Sequence, residues 1–365
     1  MAQKDFHLTN GQSLEERISA LSLQTPSTNI PATDDKWVLA SNLQKAIRRG
    51  LPQVAVGTVN KLLRIDSSYC WRRLVVISYE DVGFGDISLC HELLKTFRRE
   101  ALHRQLGTER VAGYFAHELA RTPKSRALCD AIAMLEFSVQ RARYERQCLA
   151  LEDNQLLDIA GDCNAAVMDR TAALRHIAGY REAGYRNYRL ATPPRPDLMR
   201  EIVSRLELNE IEGRLYISGQ GVSESMNIAL PVIAQMIRGA APQEQHAEHA
   251  FCGKNGILYA ALDTHTRAGK RCFRVLAKED KPLREFFGRR PALDPVAVLG
   301  AGVFIVEGTA LGRWLIFGGT DDLRQMFNRH FLEYVGVTEE EQDELLVLIK
   351  DSLPRLNYVR DGEIG

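Results

Sequence analysis

No C-x-x-C pair occurs among the seven cysteines, which stand far apart at Cys70, Cys90, Cys129, Cys148, Cys163, Cys252 and Cys272. That scatter, with an odd number, excludes a zinc ribbon or a disulfide framework and fits a reducing compartment. Net charge is missing too, with 47 basic side chains against 47 acidic ones. This excludes a wholly basic, histone-like protein and leaves local patches open. The longest apolar run, Pro295 to Val306, is about a dozen residues with two glycines, short of the roughly 20 a membrane helix needs. Met-Ala-Gln-Lys-Asp at the start has no apolar signal core. A soluble, cytoplasmic chain with no membrane partner is therefore expected. Only 13 prolines and 27 glycines in 365 residues, 45% of them hydrophobic, exclude a disordered or collagen-like chain. The length suggests about two domains.

What is present reads as helix. Ser13 and Glu16 have capping-box spacing, as do Thr338 and Glu341. Thr122-Pro123 and Asp294-Pro295 each place a capping side chain before a proline at an expected first helical position. Apolar residues recur every three or four positions at Leu43, Ile47 and Leu51, at Leu128, Ile132, Leu135 and Val139, and at Leu345, Leu346, Ile349 and Leu353. Strand signals are few: Arg214–Ser218 and Arg313–Phe317 could each be a short strand, a helix end or a buried loop. Gly83-Phe-Gly85 reads as a turn, with Asp86 placed to cap the next helix. The expected fold class is all-α.

Residues 1–35 read as an N-terminal segment and linker, with Pro26 and Pro31 in the polar stretch Gln24–Asp35. A helical domain over 36–190 and a mainly helical domain over 191–365 meet at Thr192-Pro-Pro-Arg-Pro196, after a helix-like run from Leu151 to Tyr188. Lys36–Ala150 holds about 19 basic and 11 acidic residues, Lys254–Arg290 about 10 and 4, and the tail after Gly336 about 3 and 8. Neutrality is thus an average over two basic regions and an acidic end.

Three segments occur in a telling order: Leu39-Ala-Ser-Asn-Leu-Gln-Lys-Ala-Ile-Arg-Arg-Gly50, Trp71-Arg-Arg-Leu-Val-Val-Ile-Ser-Tyr-Glu-Asp-Val-Gly83 and His117-Glu-Leu-Ala-Arg-Thr-Pro-Lys-Ser-Arg126. Together they resemble the region after the ATPase core in the RarA/MgsA replication-associated recombination proteins, a clamp-loader-like AAA+ family. The shared pattern is an apolar helix with Arg-Arg, a Glu-Asp-Ile-Gly turn and an Ala-Pro-Lys-Ser turn opening a helix. Here these are Arg72-Arg73, Glu80-Asp81-Val82-Gly83 and Thr122-Pro123-Lys124-Ser125. The resemblance covers about Lys36 to Arg143, under a third of the chain. It implies a helical collar that assembles as a homo-oligomer, a tetramer by analogy, and sits near DNA. ATP hydrolysis is not implied. No G-x-x-x-x-G-K-[ST] is present, Arg267-Ala-Gly-Lys-Arg271 lacks the first glycine, and about 35 residues before the collar-like part are too few for an AAA+ module.

Arginine forks match phosphate oxygens, and an open helix N-terminus adds N–H donors. On that chemistry Arg48 and Arg49, Arg72 and Arg73, Arg98 and Arg99, and Lys124 with Arg126 are candidates for nucleic-acid contact. The competing reading is solvated helix faces or ion pairs between subunits. Glu80 and Asp81 are read as structural, pairing with Arg72 or Arg73 or capping, because adjacent helical residues do not face one another. If Asp263–Arg274 is helical, Arg267, Lys270, Arg271 and Arg274 share one face, a basic stripe suited to a phosphate backbone. It continues through Lys278, Lys281, Arg284 and Arg289-Arg290. Phe273, Phe286 and Phe287 either stack on bases or fill the core. Tyr180–Arg189 interleaves tyrosine with arginine, suiting either nucleotides or a half-buried helix end.

Other motifs are weaker. Gln245-His-Ala-Glu-His-Ala250 is one residue short of H-E-x-x-H and reads as a polar, exposed helix segment. Gly300-Ala-Gly302 lacks dinucleotide-loop spacing and reads as a tightly packed core helix. Ser218, Ser223 and Ser225 have no G-x-S-x-G elbow. No metal or cofactor is expected, and no catalytic residue stands out. The leading expectation is a non-enzymatic, oligomeric protein acting on single-stranded or forked DNA in replication, recombination or repair. A collar without a motor suits an accessory or competitor of a full-length RarA-type ATPase, such as a mobile element or phage would carry. The alternatives are a protein–protein module for such an ATPase or replication assembly, and an enzyme with a site around His246, His265 and Glu307.

Overall fold

The computed structural model describes residues 12–22, 30–179, 195–223 and 225–364. Tyr180–Arg189, the first part of the Gln24–Asp35 linker and most of the expected boundary at 192–196 lie outside these residues. Eighteen α-helices and a few short strands are described, and 71% of the described residues are helical. The fold is all-α.

Local chemistry sets most helix starts. α1 (Leu14–Ser22) opens on a reciprocal box: Glu16 N donates to Ser13 Oγ and Ser13 N to Glu16 Oε2. α2 (Lys36–Arg48) is capped by Asp35, which accepts from Trp37 N and Val38 N. α3 (Pro52–Ile77) starts on proline, leaves helical backbone at Asp66 and runs into a π-helical turn, Ser78–Val82, and a 3-10 turn, Gly83–Gly85. Asp86 then caps α4 (Ile87–Thr96) through Leu89 N, as expected. There follow α5 (Glu100–Leu106), α6 (Thr108–Arg121), α7 (Ala127–Glu136), α8 (Arg141–Leu149), α9 (Asp153–Gly161), α10 (Val167–Ile177), α11 (Pro196–Arg205), α12 (Glu210–Ser218) and α13 (Leu230–Met236). The rest comprises β1 (Gln243–His246), β2 (Gly253–Lys254), β3 (Ile257–Leu258), α14 (Arg267–Glu279), α15 (Lys281–Arg289), α16 (Pro295–Val303), β4 (Arg313–Ile316), α17 (Thr320–Tyr334) and α18 (Glu339–Ile364). A second π-helical turn, Phe304–Gly308, extends α16.

One apolar cluster runs from Ile18 to Leu356. α3 packs on α2 and α6, α14 on α16 and α18, and α7 on α17 across the two expected domains. At that last contact Phe137 lies 4.4 Å from Phe331 between ring centroids, and Phe304 lies 6.0 Å from Phe327. α2 also packs on β3. The residues on either side of 180–194 therefore share a core.

Several expectations change. Thr122-Pro123 does not open a helix: Thr122 ends α6, and α7 begins at Ala127. Backbone pairing holds the intervening segment extended, with Lys124 N donating to Arg313 O and Leu315 N to Lys124 O, both at 2.9 Å. Arg214–Ser218 is the end of α12, started by a capping box at Asn209 and Glu212, whereas Arg313–Ile316 is a strand. The polar string at His246 is not helical, because Gln243–His246 pairs antiparallel with β4. The Leu151–Tyr188 run breaks between α9 and α10. Val139 falls beyond the end of α7 and is exposed.

Glycine positions several close approaches. A Cβ on Gly85 would stand 2.1 Å from Pro123 O, so the turn after Asp81 seats directly on the extended 122–126 segment. A Cβ on Gly302 would meet Ile349 Cδ1 of α18 at 2.2 Å, and one on Gly300 would meet Thr264 Oγ1 at 2.8 Å, so both glycines of α16 allow close approach, the first of a helix and the second of a loop. Gly288, in the last turn of α15, has nothing near it. Gly85→Ala is expected to cost at least ~3 kcal/mol, the scale of strong backbone overpacking. Gly288→Ala should be neutral or stabilise by about 0.5 kcal/mol. Paired denaturant melts measure both, and equal midpoints would contradict the assigned contact.

Candidate functional site

The three sequence segments of the collar-like part converge on one buried ion network. α2 buries Leu39, Leu43 and Ile47, and the next residue, Arg48, is carried inward to 1% exposure. Its Nε donates to Asp81 Oδ1 at 2.6 Å and its Nη2 to Glu80 Oε1 at 2.7 Å. Nη1 donates to Gly308 O at 2.8 Å, in the second π turn. Asp81, at 0% exposure, also accepts from Arg126 Nη1 and, at 3.0 Å, from Gln44 Nε2. Arg73 Nη2 donates to Gln44 Oε1 at 3.2 Å. The Phe304 ring lies against both guanidinium groups, 5.5 Å from Arg48 and 5.6 Å from Arg126. Glu80 and Asp81 thus pair chiefly with Arg48 and Arg126, not with Arg72 or Arg73 as expected. Burial opposes ionisation of Glu80, but Arg48, Arg126 and Arg73 outweigh it and hold its carboxyl at about 2. It remains a carboxylate at neutral pH, which suits ion pairing and not general-acid chemistry.

Lys124 extends the network. At 0% exposure, its Nζ donates to Ala120 O at 3.0 Å and to Thr122 O, satisfying carbonyls at the end of α6. Burial, with Arg313 adding to it, pushes its ammonium down to about 7 against the pull of Asp81. Asp130 lies 3.7 Å from Arg126 Nε and 3.8 Å from Arg324 Nε, and burial raises its pKa. A small cleft of about 30 Å³ opens beside Arg126, Asp130, Trp314 and Arg324, room for about one water. A second buried pair joins Lys45 of α2 to Asp263, which also accepts from Ser41 Oγ at 2.7 Å.

Burial divides the expected nucleic-acid residues. Arg48, Lys124 and Arg126 are buried in ion pairs and backbone bonds, away from any surface phosphate. Arg49 is half-buried and donates to Glu307 O at 3.1 Å, and Arg73 is half-buried beside Gln44. Arg72 is exposed. The stripe of α14 forms as expected, with Arg267, Arg271 and Arg274 exposed and Lys270 half-exposed. Arg271 is engaged by Glu363, its Nη2 2.6 Å from Oε2. Arg267, Lys270, Arg274 and Lys278 have no ion pair among the described residues. Phe273, Phe286 and Phe287 belong to the core.

The residues of the enzyme alternative stand on separate elements. His246 is exposed on β1, His265 precedes α14, and Glu307 binds Arg360 at 2.8 Å. No group of three or more His, Cys, Asp or Glu among the described residues could hold a metal ion. Gln44, Lys45, Asp263 and Phe304 were not read from the sequence as network members. The only local signal was the four-residue spacing of Ser41 and Lys45, which places both on the face of α2 that meets Asp263.

Arg48→Met would strip the fully buried Asp81 of a principal partner, so it is expected to cost about 3–5 kcal/mol in denaturant unfolding, as for broken buried ion pairs. The carboxyl of Glu80 is lowered in the folded state, so the unfolded chain binds more protons between its unfolded value, about 4.3, and about 2. Stability from this group is present above that window and lost as pH falls through it. In Glu80→Gln the pH slope there should flatten by up to about 1.4 kcal/mol per pH unit, and an unchanged slope would remove Glu80 from the network.

No described helix is long and apolar enough to cross a membrane. Comparison of the chain with protein-family models, with curated proteins and with solved structures finds no match.

Proposed function

We propose that this chain is a non-enzymatic, self-associating helical protein that binds DNA intermediates of replication or recombination through α14, resembling a RarA-type collar without its motor. The observation that carries the reading is the composition of one helix face. Arg267, Lys270, Arg274 and Lys278 recur at three- and four-residue spacing over about 16 Å and have no carboxylate partner among the described residues. Many arginines elsewhere are paired, including Arg205, Arg289, Arg290, Arg313 and Arg355. Cations with no internal partner can release counterions from a phosphate backbone, the main source of sequence-independent affinity. The collar part of the proposal gains support from Arg48, Asp81 and Arg126, one from each resembling segment, meeting in a single network. Self-association would multiply one modest stripe per copy into an avid surface.

Fluorescence anisotropy with single-stranded, duplex and forked DNA at several salt concentrations tests this reading. Binding should weaken steeply with salt, and Arg267→Ala with Arg274→Ala should reduce the log–log slope by about 1.4–1.8. No binding by folded protein at low salt would sink the DNA reading. Salt-insensitive association with a RarA-type ATPase would then favour the protein–protein module.

A further inference from the structure

The most exposed tryptophan stands among mixed charges, with Asp35 capping its helix, Lys36 paired with Asp66 and Lys61 with Asp34. Trp37, in the first turn of α2, is 53% exposed, against 5% for Trp71. Its ring meets Tyr69 edge-on, with centroids 5.6 Å apart at 69°. Lys36 Nζ lies 5.6 Å from the Trp37 centroid and 5.3 Å from that of Tyr69, while its ion pair with Asp66 at 3.1 Å fixes it there. Asp66 is also where α3 leaves helical backbone, and its Oδ1 accepts from Tyr69 N at 3.0 Å, capping the renewed helix. That restart sets Tyr69 and Arg72, whose guanidinium lies 6.0 Å from the Tyr69 ring. Arg72 has no ion pair among the described residues.

This platform adjoins α14. Trp37, Ser41 and Lys45 succeed one another at four-residue steps, and the latter two hold Asp263 just before α14 begins. Asp35, beside Lys36, acts electrostatically on Arg271 of α14. Arg73, one residue beyond Arg72, similarly acts on His265, two residues before Arg267. Exposed Trp37, with half-buried Tyr69 beside it, thus lies on the face of α2 that approaches the start of α14.

We propose that Trp37 and Tyr69 are a base-stacking platform for single-stranded nucleic acid, whose backbone runs along Arg72 and the α14 cations. The proposal rests on the DNA reading above and narrows it to unpaired bases. An exposed indole suits a nucleobase, because every base offers a π-face, and the flanking phosphates find Arg72 and the α14 cations that have no ion pair among the described residues. A duplex keeps its bases stacked internally and offers no such face to the ring.

The test titrates the full chain with an oligothymidylate of about 20 nucleotides and with a duplex of equal length, following anisotropy and tryptophan emission. The single strand should quench emission, and quenching should vanish in Trp37→Phe, which retains Trp71 and Trp314 as reporters. Trp37→Ala, checked for folding by circular dichroism, should weaken single-strand binding about tenfold with its salt slope unchanged. Trp37→Phe should keep most of the affinity. If Trp37→Ala binds as tightly as the parent while Arg267→Ala with Arg274→Ala does not, the platform is wrong and the stripe stands. Equal affinity for duplex and single strand without quenching also overturns the platform alone. No binding of either at low salt removes both readings.

Discussion

A carboxylate with no access to water has to be answered from within the protein, and Asp81 sets that demand here. Its two oxygens take Arg48, Arg126 and Gln44, so α2, the turn after α3 and the segment before α7 are fixed to one point. Such ion pairs add little net stability compared with apolar packing, because desolvation cancels much of the attraction. Their strong effect is on geometry, since each fork must be aimed correctly or leave a charge stranded. The two π turns meet this requirement. One presents Glu80 and Asp81, and the other presents Gly308 O and the Phe304 ring to the same arginine. An extra residue in a helical turn rotates the side chains beyond it, and π turns often mark such special positions.

The same principle separates the cations of the interior from those of the surface. Arg48 and Arg126 are committed within the fold, and Lys124 is committed to backbone carbonyls. On α14 the cations meet water, and their charge is available to whatever approaches. Similar basic doublets in the sequence therefore have opposite physical meanings. Arg72 and Arg73 show this within one helix: Arg72 lies beside Tyr69 at the surface, whereas Arg73 reaches Gln44 at the edge of the buried network.

Features governed by neighbours a few residues away were legible in the sequence. The Ser13 box, the Asp86 and Asp294 caps and the Arg267–Arg274 stripe need only local spacing, and each occurs as read. Features set by distant partners were not. Pro123 comes after a capping residue, yet its segment is extended because β4 pairs with it from far along the chain. His246 lies in a polar string whose strand geometry comes from the same β4. Arg48 resembles a solvated doublet until Asp81 and Arg126 are placed beside it. Trp37 was not singled out at all, because a lone indole carries no periodic signal and its exposure depends on where α3 breaks.

The bond from Arg48 to the Gly308 carbonyl spans 260 positions, and it bears on synthesis of the chain. At about 5–20 residues per second, the guanidinium leaves the ribosome's active centre some tens of seconds before its last acceptor is made. Lys45 waits for Asp263 over a similar interval, 218 positions later. During that time the first helices can form but cannot close around their charges. Phe137 is also made long before the rings of α17 that cover it. The nascent first half therefore passes through a stage with exposed apolar surface and unanswered cations, where a chaperone would have most to hold.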